Sequence, residues 1–211
     1  MANTLKKSLK AALGIGVVGS LATAEGSYRG YDTPPYEVVQ TVGDAEIRAY
    51  TSHLVAEVTV RGTQRDALSS GFRILAGYIF GGNTSAASVA MTSPVAQRPS
   101  EKIAMTSQVG QTGSDDLWTV TFTMPPEYTR DTLPLPNNEA VRIVEAPAQR
   151  QIVLQFSGLA KTALLNQKSA DLRAIAASAG LALDEGPFYY LYDGPMTLPW
   201  SRRNEVAYVV K

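Results

Sequence analysis

A single histidine, His53, and the absence of cysteine set the limits of the chemistry open to this sequence. One imidazole cannot make a two-histidine metal site, and no aspartate or glutamate cluster has ligand spacing. A Ser–His–Asp arrangement would have to use His53, and no Gly-x-Ser-x-Gly elbow is present to present a serine. Asp115-Asp116 sits in Gly113-Ser114-Asp115-Asp116, a loop composition whose carboxylates read as solvated. Gly81-Gly82 lacks the lysine and hydroxyl partners of a phosphate loop; ending a helix explains it better. Without cysteine there are no disulfides, iron–sulfur clusters or thiol chemistry. These residues give an enzymatic reading little support.

The unusual feature is a repeated string. Ala90-Met91-Thr92-Ser93-Pro94-Val95 recurs fourteen residues on as Ala104-Met105-Thr106-Ser107-Gln108-Val109. In each copy apolar residues alternate with small ones, Val89, Met91 and Val95 first and Ile103, Met105 and Val109 second. The spacer with Arg98-Pro99-Ser100 is turn-rich, so the pair predicts a hairpin. Its two methionines would form part of the core or an adaptable apolar ligand wall.

The elements that must hold such a wall are readable by period. Tyr36 to Val39, Glu46 to Tyr50 and His53 to Val60 predict strands, and Thr51-Ser52 a turn. Gly62-Thr63 opens a helix with Leu68, Phe72, Leu75, Ala76 and Ile79 at helical spacing, closed by Gly81-Gly82-Asn83. Trp118, Val120 and Phe122 alternate with three threonines, the cleanest strand signal in the chain. After Pro125-Pro126 and Leu133 to Asn138 the order restarts. Strands are predicted at Val141 to Glu145 and Gln151 to Phe156, a helix at Thr162 to Ala179, and strands at Phe188 to Tyr192 and Glu205 to Val210. Aligning Gly62 with Gly158 puts Val58 on Leu154 and Val60 on Phe156. The expected architecture is therefore α+β, with two pseudo-repeats, about 36–124 and 139–211, each strand–strand–helix–strand–strand, sharing one core in a single domain over 36–211. The first helix has a thin polar strip (Asp66, Ser69, Ser70, Arg73, Gly77), while Ile74, Tyr78 and Phe80 widen its apolar surface. Such a helix expects cover on more than one face.

Composition adds bounds. The 211 residues are 45% hydrophobic and carry nineteen basic and nineteen acidic side chains. That balance, with no run of like charge beyond two, gives no footprint for nucleic acid or an anionic membrane. Residues 1–24 read as a signal peptide. Lys6, Lys7 and Lys10 precede an apolar run from Ala11 to Leu21, and Ala22-Thr23-Ala24 supplies a small-x-small cleavage site. The run is shorter than the ~20 residues that span a bilayer. Cleavage would leave sixteen basic against nineteen acidic residues, a periplasmic or secreted protein without a membrane anchor, and Glu25 to Pro35 as a tether.

The segment Tyr192-Asp193-Gly194-Pro195-Met196-Thr197-Leu198-Pro199-Trp200-Ser201-Arg202-Arg203-Asn204-Glu205-Val206, with the twin Ala-Met-Thr-Ser strings and Gly81-Gly82-Asn83, resembles the SOUL haem-binding protein family. The resemblance runs from about Tyr36 to Lys211. It implies a distorted antiparallel β-barrel of two pseudo-repeats with one helix each, and non-catalytic, reversible binding of haem or another tetrapyrrole in an open apolar cleft. The first helix and the loop before Arg202 would form the sides of that cleft. Phe72 and Ala76 would then meet one face of the macrocycle, Met196 and Trp200 the other, and Arg73 a propionate. Where some members carry an axial histidine this chain has Ala49. His53, four residues on, is the candidate iron ligand, with the phenols of Tyr50 and Tyr78 and the thioethers of Met91 and Met105 as alternatives. Ser69, Gly77 and Thr197 stand where haem-binding members have basic residues. Arg202-Arg203 would reach a propionate or else clamp nearby carboxylates such as Glu205. Two other readings remain open: a binder of small amphipathic molecules without iron, and an envelope protein–protein interaction module.

Overall fold

The computed structural model describes residues 23–24, 27–86 and 100–211. Among them ten strands join one antiparallel sheet: β1 (Thr23–Ala24), β2 (Tyr36–Val42), β3 (Ala45–Tyr50), β4 (His53–Arg61), β5 (Val109–Ser114), β6 (Leu117–Thr123), β7 (Arg142–Ala146), β8 (Gln149–Phe156), β9 (Phe188–Leu191) and β10 (Asn204–Val209). Helix α1 (Gln64–Ile79) follows β4, and α2 (Thr162–Ser178) follows β8. The strand order β1-β2-β3-β8-β10-β9-β5-β6-β4-β7 curls into a half-barrel. From β3 to β7 this order reads the same from either end when β3 exchanges with β7, β8 with β4, β10 with β6 and β9 with β5. Helix α1 lies on β4 and β6, and α2 on β8 and β10. The fold is the expected α+β arrangement of two helices on a large antiparallel sheet.

Alternation decides which face meets the helices. Ile47, Ile152, Leu154, Val206 and Tyr208 pack with Leu165 and Leu172 of α2; Val58, Val120 and Phe122 pack with Leu75, Tyr78 and Ile79 of α1. A Cβ on Gly71 would lie 2.6 Å from Val120 Cγ2, so glycine lets α1 settle directly on β6. Thr63 caps the helix: its hydroxyl oxygen accepts from Asp66 N at 3.3 Å. Asn83 holds the other end, donating from Nδ2 to Tyr78 O at 2.8 Å and Glu101 O at 2.7 Å while accepting from Glu101 N.

The opposite face carries charge. Arg48 on β3 donates to Glu205 on β10 at 3.0 Å, and Arg203 donates to the same carboxylate oxygen at 2.6 Å. The hydroxyl of Tyr192 donates to the other oxygen at 2.7 Å. Glu205 is fully buried and Arg48 is 3% exposed. Tyr50, Val153 and Ala207 pack beside them, and the Arg48 guanidinium lies 4.2 Å from the centroid of the Tyr36 ring.

Two expectations need correction. The second Ala-Met-Thr-Ser copy is not a hairpin arm, and the first lies outside the described residues. Its backbone bonds go elsewhere: Ile103 N donates to Ile79 O and Ser107 N to Asp32 O, while the Thr106 hydroxyl donates to Thr123 O. Ile103 is buried but Met105 is 39% exposed, so no methionine wall forms there. The strand β5 begins only at Val109, and its Gly110, Gln111 and Gly113 hide it from any apolar period. A Cβ on Gly110 would lie 2.3 Å from Thr121 Oγ1, and Gln111 is buried between two neighbouring strands. The segment expected as a tether is anchored where it is described. Tyr28 donates to Asp193 at 3.2 Å, Arg29 donates to Ser201 O at 2.7 Å, and Thr33 is buried.

Three outcomes follow from this packing. Gly71→Ala gains up to ~1 kcal/mol of helix propensity but must push α1 off Val120, so a net loss of about 1–3 kcal/mol is expected in chemical denaturation. Glu205→Gln takes the only carboxylate from Arg203 among the described residues and the buried one from Arg48, which keeps Glu46, and should cost about 3–5 kcal/mol in the same measurement. Burial holds the phenols of Tyr50, Tyr190 and Tyr192 above their ordinary value of 10.0. The folded state therefore keeps protons that the unfolded chain releases. Stability from these groups is intact below about pH 10 and should fall as pH rises beyond it, read as a declining unfolding midpoint.

Candidate functional site

Helix α1 presents one face that the described residues leave open. Arg65, Asp66, Ser69, Phe72, Arg73, Gly77 and Phe80 are exposed, and Phe72 and Phe80 retain 41% and 57% of their surface. Phe72 rests edge-on against Phe122, with ring centroids 5.3 Å apart. Ala76, one turn on, is half-buried. Arg73 has no ion pair or hydrogen-bond partner among the described residues, which leaves its guanidinium available.

The loop between β9 and β10 is the second wall. Met196, Leu198 and Trp200 are 93%, 55% and 73% exposed. Their backbone is nevertheless fixed. Arg202 donates to Thr197 O at 2.8 Å and to Pro195 O at 2.7 Å, Gly158 N to Pro199 O at 2.9 Å, and Arg203 N to Asp193 Oδ2 at 2.6 Å. A rigid backbone carrying bare apolar side chains is a surface built for contact.

Sheet register relates the two walls. Phe122 pairs with Val109, Val109 with Leu191, and Leu191 with Asn204. The strand under Phe72 is thus two strands from where the loop departs and three from where it returns, roughly 10 and 15 Å. Phe122, under Phe72, and the two ends of the loop thus share one end of the sheet, and none of Phe72, Arg73, Ala76, Met196 or Trp200 lines the two cavities found elsewhere.

His53 stands apart from them. It is half-buried at the start of β4, with Nδ1 2.9 Å from Thr51 O. It lines a cavity of about 580 Å³ with Pro34, Thr106, Met124, Tyr128 and Arg130. There the Tyr128 hydroxyl donates to Glu101 at 2.7 Å, a bond that pushes its phenol up to about 12. Tyr50 and Tyr78 are enclosed: Tyr50 faces Arg48, and Tyr78 donates to Pro134 O at 2.7 Å. The Arg202-Arg203 pair clamps the structure, one on loop carbonyls and the other on Glu205, and neither is left for a propionate. No group of three or more His, Asp or Glu suited to a metal occurs among the described residues. Nor is any described helix long and apolar enough to cross a membrane. Sequence reading missed a second cavity, of about 570 Å³, between α1 and α2. Its lining comes from four separated stretches, and its only sequence signal is polar residues at core positions.

The geometry can be set beside known proteins. Heme-binding protein 1 of Xenopus laevis is 30% identical over 170 residues, covering 78% of this chain and 82% of its own. Heme-binding protein 1 of Sus scrofa is 31% identical over 133 residues, covering 61% and 64%. Two solved structures share the fold at low identity. A hydrolase from Listeria innocua matches at 13% identity and TM-score 0.53, over 80% of this chain and 92% of that one. The EcmrR C-terminal domain matches at 11% and 0.56, over 79% and 96%. The model of the SOUL heme-binding protein family matches residues 31–209, which span the half-barrel from β2 to the end of β10. This chain belongs to the SOUL heme-binding protein family.

Proposed function

We propose that the chain binds haem or a related tetrapyrrole, without catalysing its conversion, between the open face of α1 and the β9–β10 loop. The observation that carries this reading is the pairing of a pinned loop bearing Met196 and Trp200 with the exposed ring of Phe72. Flat conjugated rings match such a surface, because exposed apolar side chains gain most from covering a wide, planar ligand. Phe72 and Ala76 take one face of the macrocycle, Met196 and Trp200 the other, and Arg73 a propionate. When bound, haem supplies the iron and the chromophore; the chain supplies apolar contact and one cation. Family membership and the names of the two relatives support the ligand class. The signal-like start supports action outside the cytoplasm, in the periplasm or as a secreted protein, in transport, buffering or sensing.

A second reading, an amphipathic small-molecule binder without iron ligation, is favoured by the side chains around the cleft. His53 lines another cavity, both candidate phenols are enclosed, and Ser69, Gly77 and Thr197 bring no charge.

An absorbance titration of the protein with haemin tests both. Binding should produce a shifted Soret band, and Phe72→Ala or Trp200→Ala should each weaken affinity about tenfold or more; unchanged affinity in both variants removes this cleft. Metal-free protoporphyrin bound within about threefold of haemin, below ~0.7 kcal/mol, selects the iron-free reading. A Soret band altered by His53→Ala assigns the axial ligand, and an identical spectrum excludes it.

A further inference from the structure

We infer a second, independent binding site in the cavity between the start of α1 and the flank of α2, for a small planar molecule with a lactam or imide edge. The cavity, about 570 Å³, lies in the range of small-molecule sites and is lined by Gln64, Trp118, Asn166, Ser169, Arg173 and Tyr189 among others. It includes none of Phe72, Arg73, Ala76, Met196 or Trp200, so it does not rest on tetrapyrrole binding.

Two of its lining residues are buried with unmet hydrogen-bonding capacity. Gln64 is 6% and Trp118 9% exposed. Neither Nε2 nor Oε1 of Gln64 has a partner, and neither does the indole Nε1 of Trp118. Three of the five unpartnered buried side-chain atoms among the described residues thus border one cavity. A fourth, Gln111 Oε1, is adjacent, because Gln111 Nε2 donates to the Gln64 main-chain oxygen at 2.7 Å. Leaving such groups unpaired costs about 1–3 kcal/mol each, and folded proteins keep few of them. The other wall is already satisfied. Ser169 Oγ lies 2.5 Å from the Tyr208 hydroxyl, and Arg173 Nε donates to that hydroxyl at 2.7 Å. The unmet capacity is confined to the side where Gln64 begins the helix.

The unmet groups define the ligand. A carboxamide offers a donor and an acceptor in one plane, which a cis-amide edge, N–H beside C=O, complements with two bonds. The indole N–H adds a donor for a second carbonyl, so an imide satisfies all three. The atoms are shut from solvent, so the Gln64 carboxamide must turn toward the cavity when the ligand enters. That movement breaks no existing side-chain hydrogen bond, since Gln64 makes none.

Uracil is the test probe and 1,3-dimethyluracil, which lacks both N–H groups, its control. The reporter is the Trp118 indole N–H resonance, assigned by its persistence in Trp200→Phe. Uracil should shift it saturably, and dimethylation should weaken binding about tenfold or more. Gln64→Leu should abolish the shift while leaving the ligand-free unfolding temperature equal or higher, because it removes polar groups that serve no contact of the fold. Ala170→Phe, on the exposed flank of α2, should block the cavity and abolish the shift with Gln64 intact. No saturable shift with uracil, equal binding of the dimethyl compound, or a lowered unfolding temperature in Gln64→Leu would each overturn the proposal.

Discussion

A single fully buried carboxylate, Glu205, organises the face of the sheet that has no helices. It sits under two guanidinium groups and a phenol brought from β3 and from either side of the β9–β10 loop. Removing these charges from water is costly, and their attraction returns that cost only when every partner is in place. The arrangement therefore tolerates one relative placement of β3, β8, β10 and β9. It explains why an otherwise apolar sheet spends a strand position on an acid. It also orders the segment that leads to the cleft. Arg202 fixes loop carbonyls, Arg203 and Glu205 pair in the interior, and Asn204 between them donates to Gly158 O, where α2 departs. Four consecutive side chains thus join the sheet, the loop and a helix.

This division of labour corrects what the motif suggests when read as chemistry. The side chains of Arg202, Arg203, Asn204 and Glu205 are engaged in structural contacts, while the apolar side chains of Met196, Leu198 and Trp200 before them are exposed. The elements with strong periods were legible. Trp118, Val120 and Phe122 in β6, and Leu68, Leu75 and Ile79 in α1, bury the faces their spacing demands. Strand β5 was illegible because its value lies in having little side chain: Gly110 admits Thr121, and Gln111 spends its amide on the start of α1. The Ala-Met-Thr-Ser repeat misled by the same logic. Alternation records which side chains point inward, but not whether the backbone bonds run to a neighbouring strand, and Ile103 and Ser107 bond to a helix end and an N-terminal segment. Of the candidate site, the surplus of apolar positions on α1 predicted cover on a further face; Tyr78 has it, while Phe72 and Phe80 are exposed. The cavity near Gln64 was not legible, since an unpartnered amide is a fact of three dimensions.

Helix α1 links these features. Gly71 against Val120, the buried Leu75, Tyr78 and Ile79, and Asn83 at its end fix it to the sheet. The exposed part of Phe72 and the ring of Phe80 are therefore surplus to folding, as is the amide of Gln64. Residues kept at some cost to stability, or at none of its benefit, are where function is expected to reside.

Magnitudes decide which outer residues matter most. Covering the 41% of Phe72 that is exposed removes roughly 80 Å² from water, worth about 2 kcal/mol at ~25 cal/mol per Å², and Trp200 at 73% offers more, before association costs. An exposed arginine reaching a propionate contributes roughly 1 kcal/mol or less, and salt weakens it further. Among the described residues the proposed cleft has several exposed apolar groups beside the guanidinium of Arg73, so shape and apolar area would dominate its selectivity. A site with that balance discriminates between ligands by flatness and width more than by charge. With Ser69, Gly77 and Thr197 uncharged, the proposed cleft would select its ligand by apolar area more than by pairing with acidic groups.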